Sequence, residues 1–274
     1  MNLSDKSIKF YTLFSLIYIF PLLLALENYY YIDDLARSLW GFGWDHDGRI
    51  LSTKVIQLIS FGEKSIDLFP YSNILASLIL ALGGFFISEI LKIEKNQKIK
   101  FSGLLLLTSP FMLENISYKW DSLPMSVSII SVIIPFLFIN NYKKFIITST
   151  LGLIICLFTY QASIVIYGLI TFCLIISYSI NKTEIKEIIY LLKFTLISCI
   201  LSFLLFKATI LFLNIDYKNR DSTIFSSPDT FILLKNNTKN SFRLIKKAFN
   251  LPLKNHFFTN LYFIFYFDSE NIFM

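Results

Sequence analysis

The sequence predicts an all-α, polytopic membrane protein, on three observations. The chain is 55% hydrophobic and 16% charged, where soluble domains run near a quarter charged. Its mean hydropathy of +0.61 describes more apolar surface than one core of this size hides, so lipid serves as solvent. Its lysines fall in the gaps between apolar runs. That is how topology signals are placed, and it excludes a nucleic-acid surface despite the net charge of +6.

About seven stretches reach the roughly 17–25 residues that a crossing helix needs. The first, residues 10–26, follows Lys6 and Lys9 as a signal peptide would. No small-residue cleavage site follows, so it reads as an uncleaved helix. The second covers 71–91, the third 101–116 and the fourth 123–139. The run 145–180 is too long for one crossing and breaks at "TYQAS", giving the fifth and sixth. The seventh is 188–213. Residues 214–274 form a separate C-terminal segment, polar and basic at first, with a short apolar tail that lies at the interface or starts an eighth helix. Cys156, Cys173 and Cys199 sit inside apolar runs, without the spacing of a zinc site or a disulfide framework.

With the N-terminus in the cytoplasm, the inner segments carry Lys6, Lys9, Lys92, Lys95, Lys98, Lys100, Lys143, Lys144, Lys182 and Lys186. The short outer loops carry Arg37, Arg49, Lys54, Lys64 and Lys119. Ten against five is the bias that the positive-inside rule demands; the basic segment after the seventh span also falls outside and weakens the count, but is long enough to be less constrained by the rule. This orientation collects the polar clusters on one side. The loop "ENYYYIDDLARSLWGFGWDHDGRI", the turn "ENISYKWDS", the turn "TYQAS" and the segment beginning "DYKNRDS" all fall outside.

Each cluster has a plain reading and a chemical one. Asp33 and Asp34 are adjacent carboxylates at a membrane surface, so one of them needs pairing or a shifted pKa. Arg37 is three residues beyond Asp34 and reaches it if the segment is helical. One acid then serves as general base while the other fixes geometry; the plain reading is a solvated loop. In "WDHDGRI", Asp47 and Gly48 mark a turn, and Arg49 offers a planar fork to a phosphate. His46 between two aspartates is a poor metal site, because three consecutive side chains do not converge on one ion without a tight loop. No metal is expected. Residues 50–69 mix apolar positions with Lys54, Gln57, Glu63 and Lys64, as an amphipathic surface helix or a helix packed on the other spans does. Trp120, beside Asp121, belongs to an interfacial aromatic belt or stacks on a sugar face. Tyr160 and Gln161 form a plain turn or touch substrate. Lys207, inside the seventh span, snorkels outward or meets a phosphate. Arg220 lies in the basic outer segment, which attracts anionic headgroups or a lipid-linked phosphate.

"YYIDDLARSLWGFGWDHDGRILS", "YKWDSLPMS" and "TYQAS", in this order between these spans, resemble the glucosyltransferase II family, bacterial membrane enzymes that modify O-antigen. The first motif is the specific one, and the likeness covers residues 10–215. It implies a C-type glycosyltransferase architecture with its carboxylates, Asp33 and Asp34, in the first periplasmic loop of a plasma-membrane protein. The implied donor is a polyprenyl-phosphate hexose, undecaprenyl-phosphate glucose, and the acceptor is O-antigen or a related polysaccharide. Implied partners are a sugar-lipid synthase and a flippase, and no cofactor is required. Two other classes remain open: a flippase for lipid-linked sugar, which needs charge along the spans, and an inactive accessory fragment.

Overall fold

The computed structural model describes residues 5–91, 102–214, 235, 238–240, 242 and 243. The chain divides into two units, Met1–Tyr217 and Lys218–Met274. Among the described residues every regular element is helical: α1 (Asp5–Leu26), α2 (Ile32–Trp40), α3 (Ile50–Ser60), α4 (Tyr71–Ile90), α5 (Leu104–Thr108), α6 (Pro110–Ser117), α7 (Ser122–Ile133), α8 (Tyr142–Thr159), α9 (Ile164–Ile180) and α10 (Ile185–Phe212). The all-α membrane class is therefore met.

Five helices are individually long and apolar enough to cross a bilayer: Ser7–Leu26, Tyr71–Ile90, Tyr142–Thr159, Gln161–Ile180 and Ile185–Phe212. The break expected at "TYQAS" is present, as an extended Tyr160 followed by a 3-10 turn, Gln161–Ser163. The third and fourth stretches differ from expectation, because each is interrupted by a proline. Pro110 disfavours helical backbone at Ser109, which is extended (φ −62°, ψ 134°), and splits the third into α5 and α6. Pro135 has no N–H to offer the carbonyl of Ser131, and α7 continues as a 3-10 turn, Ile134–Phe138.

The helices pack in a chain of neighbours: α1 on α4, α4 on α7, α7 on α8, and α8 on α10. The core between them holds Tyr11, Leu80, Phe85, Ile129, Phe136, Phe145, Leu153 and Tyr167. The outward faces stay apolar, with Leu196, Phe203, Leu204 and Leu211 exposed on α10, the surface that lipid covers. Small residues allow the closest helix approach. Ser131 Oγ donates to the carbonyl of Gly152 (2.9 Å), and a Cβ on Gly152 would overlap the Ser131 carbonyl oxygen.

α3 does not lie alone on the surface. It buries Ser52, Thr53 and Ile56, and Ile50 and Leu51 pack against Phe158, Phe206 and Ile210 at the ends of α8 and α10. That contact sets the first loop against the end of the helix bundle.

Gly152→Ala should lower thermal stability in detergent by about 1–3 kcal/mol, since backbone rather than a movable side chain blocks the added methyl. Gly168→Ala, with open space around it, should be neutral or slightly stabilising, up to about 1 kcal/mol. Equal melting shifts for the two would contradict this packing.

Candidate active site

The loop after α1 folds because its polar residues find partners on later turns. In α2 the helical spacing puts Asp34 and Arg37 on the buried face, while Asp33, Leu35 and Trp40 stay exposed. The helix stops at Gly41, whose φ of 62° suits glycine. Its N–H bonds the Arg37 carbonyl (2.7 Å). The chain then turns inward at Trp44, which is fully buried with Ile56 and Trp120. Thr53 locks this turn: its Oγ1 accepts from Trp44 N (2.8 Å) and donates to Asp45 (2.9 Å).

Asp34 is fully buried. Its Oδ2 accepts from the backbone N–H of Lys119 (2.8 Å) and its Oδ1 from that of Trp120 (3.2 Å). Burial pushes its pKa up to about 6, although the two N–H groups and Arg37 pull it down; Asp121 adds to the rise. The side chain of Lys119 is buried too. Its ammonium donates to the Glu27 carbonyl (3.1 Å) and sits 3.9 Å and 4.4 Å from the ring centroids of Tyr30 and Phe69. The turn that holds Asp34 is thereby pinned to the end of α1.

Two residues further on, Asp121 lies between two guanidinium groups. Arg49 Nη2 is 2.8 Å from its Oδ1, and Arg37 Nη2 is 3.5 Å from its Oδ2. Arg49 Nε also donates to the carbonyl of Thr159, and Ser52 Oγ donates to the same oxygen (3.0 Å). Arg37 stacks over Trp44 at 4.1 Å and faces Phe42 at 5.1 Å. Its Nε and Nη1, like the indole N–H groups of Trp44 and Trp120, are buried without an acceptor among the described residues. The cluster therefore has two cations paired with one anion and spare donors, with Asp33 and Asp34 within electrostatic reach of Arg37. It suits an acceptor-rich anion more than a cation.

Residues 22–267 match the family model described as Glucosyl transferase GtrII. The chain belongs to this glucosyl transferase family. A curated relative, described as an uncharacterized 55.3 kDa protein in the gtrB 5' region of Salmonella phage P22, is 36% identical over 176 residues. That match covers 64% of this chain and 36% of the phage protein. No solved structure matches.

In this family member the three motifs do meet: Asp34, Arg37 and Arg49 from the first, Trp120 and Asp121 from the second, Tyr160 from the third. The Tyr160 ring lies 5.5 Å from the Arg49 guanidinium. Two details differ from expectation. Arg37 is paired with Asp121, not with Asp34, because the desolvated backbone donors of Lys119 and Trp120 take both Asp34 oxygens. Trp120 is buried rather than part of an interfacial belt; Trp40 is the exposed tryptophan of the first loop. Gln161 caps α8 through Leu157 O (3.3 Å). Asp47 is exposed on its 3-10 turn. Lys207 lies along α10 with its ammonium 5.6 Å from the Phe203 ring, outside the Arg37–Asp121–Arg49 group. Arg220 falls outside the described residues. Trp44 and Lys119 were not singled out from sequence as site residues, although a lysine between Tyr118 and Trp120 at a span end was a usable signal.

Asp121→Asn should destabilise the protein by about 3–5 kcal/mol, because two largely buried guanidinium groups lose their shared counter-charge. Adding Arg37→Met should recover part of that loss, which a double-mutant melting cycle in detergent measures. A second outcome concerns pH. The folded pKa of Asp34, about 6, exceeds its ordinary 3.8. Between these values the folded state binds the extra proton, so this group's contribution to stability rises as pH falls from about 6 to about 4. The melting temperature of the wild type minus that of Asp34→Asn should increase over that interval.

Proposed function

We propose that the chain carries the catalytic membrane portion of a glycosyltransferase moving a hexose, glucose by family, from a polyprenyl-phosphate donor to O-antigen or a related surface polysaccharide. The site faces the periplasm, in a plasma-membrane protein whose N-terminus is cytoplasmic. One observation carries the reading: an exposed aspartate, Asp33, stands within electrostatic reach of Arg37, which with Asp121 and the partly exposed Arg49 forms a cluster where the first loop meets two later turns of the helix bundle. A general base and an oxyanion-binding group are what transfer from a sugar phosphate requires.

The two aspartates take different roles. Asp34 has both oxygens committed to backbone N–H groups and no exposure, so it positions the 119–121 turn. Asp33 is one residue away and exposed, within electrostatic reach of Arg37 and Tyr118. Asp33 is the group that meets the acceptor. The acceptor hydroxyl oxygen attacks the anomeric carbon and its proton passes to the Asp33 carboxylate. The bond from that carbon to the phosphate oxygen breaks, and its electron pair leaves with polyprenyl phosphate. Arg37 and Arg49 steady the charge gathering on the phosphate. One displacement inverts the anomeric centre and forms no enzyme-bound sugar. Asp47, Tyr160 and Gln161 border the acceptor; Trp120 supports the floor from below. A sugar-lipid synthase and a flippase supply the donor.

Asp33→Asn should cut hexose transfer by about 10²–10⁴-fold at unchanged protein abundance, read by mass spectrometry of surface polysaccharide. Asp34→Asn should lower thermal stability along with activity. Wild-type transfer by the Asp33→Asn protein would remove the base assignment. Labelling of a cysteine placed at position 47 from the cytoplasmic side alone would remove the sidedness.

A further inference from the structure

The opposite end of the bundle holds a cavity. α8 starts there, α9 ends there and α10 starts there, one helix length from the Thr159 end of α8, about 27 Å for its 18 residues. Between them lies a cavity of about 310 Å³ lined by Tyr142, Phe145, Tyr178, Glu187, Tyr190 and Phe194, with Asn140 at its edge. Tyr142, Phe194 and Tyr190 form a wall of near-parallel rings: Tyr142 is 5.3 Å from Phe194 at 14°, and Tyr190 is 6.1 Å from it at 24°.

The charges in this pocket are unbalanced in a specific way. Glu187 is exposed, and its carboxylate takes part in neither of the ion pairs among the described residues, both of which lie at Asp121. Its electrostatic effect falls on the hydroxyl of Tyr178. A carboxylate among aromatic faces attracts a cation that donates hydrogen bonds. Lys143, Lys144, Lys182 and Lys186 of this end are exposed and do not line the cavity. Lys143 and Lys186 directly neighbour the lining residues Tyr142 and Glu187 in the chain. They suit an anion beside the pocket, not within it.

We propose that this pocket binds the headgroup of an aminophospholipid from the adjacent leaflet. The primary ammonium sits against Glu187 and the aromatic wall, and the phosphate, two carbons away, meets Lys143 and Lys186. The occupant is a lipid because the pocket opens at the end of membrane-spanning helices, where headgroups are the concentrated ligand. A primary amine fits better than a quaternary one, since only the former donates hydrogen bonds to Glu187 and the tyrosine oxygens. The proposal does not depend on the transfer chemistry at the other end.

The test uses the full chain in detergent, titrated with phosphatidylethanolamine, phosphatidylcholine or phosphatidylglycerol of matched acyl chains, with bound lipid counted by native mass spectrometry. Phosphatidylethanolamine should be retained at about tenfold lower concentration than phosphatidylcholine, the size of one charge-assisted hydrogen bond. Glu187→Gln should abolish that preference and Glu187→Asp should keep most of it. Joint Lys143→Gln and Lys186→Gln substitution should weaken all three lipids. Equal retention of the amine and choline lipids by the wild type would overturn the proposal. So would a preference that survives Glu187→Gln, or strongest retention of phosphatidylglycerol.

Discussion

The arrangement rests on one carboxylate capturing two backbone N–H groups. Asp34 reaches from the first loop and takes the amides of Lys119 and Trp120, two donors that the turn between α6 and α7 cannot satisfy within itself. A buried amide without an acceptor is costly, and an acid that answers two at once joins elements 85 residues apart in the chain. Asp121 is set by the same turn, two residues beyond Lys119. Its place between Arg37 and Arg49 therefore depends on Asp34 holding the turn still.

That tether carries an electrostatic cost, visible in the raised pKa of Asp34. Burying an acid near a second acid, Asp121, disfavours its ionised form. The surroundings offset this with two backbone hydrogen bonds and the Arg37 guanidinium, and they hold Lys119 by ring faces and a carbonyl instead of by a counter-ion. Buried charge of this kind is poor material for stability. Under the function proposed above, its concentration at one end of a helix bundle is where the transfer takes place, because fixed dipoles and charges in a dry setting act strongly on a reacting group.

Much of the architecture was legible beforehand. Hydropathy is a property of short windows, so the stretches that became α1, α4, α8, α9 and α10 could be read directly, including the break between α8 and α9. The prolines at 110 and 135 were in plain view, but their effect on the third and fourth stretches depends on which neighbours re-satisfy the freed carbonyls. The gathering of three distant motifs on one side followed from counting crossings.

The sequence by itself determined that the chain lives in lipid, which of its ends carry polar clusters, and which residue types meet there. Tertiary structure alone decided the pairings: Arg37 with Asp121 rather than Asp34, Trp44 and Trp120 inside rather than at the interface, Lys119 boxed by rings. Local spacing ranks partners by proximity along a helix. The actual choice is made by desolvation, which favours whichever donor has no water left to turn to, and that quantity exists only once the helices have packed.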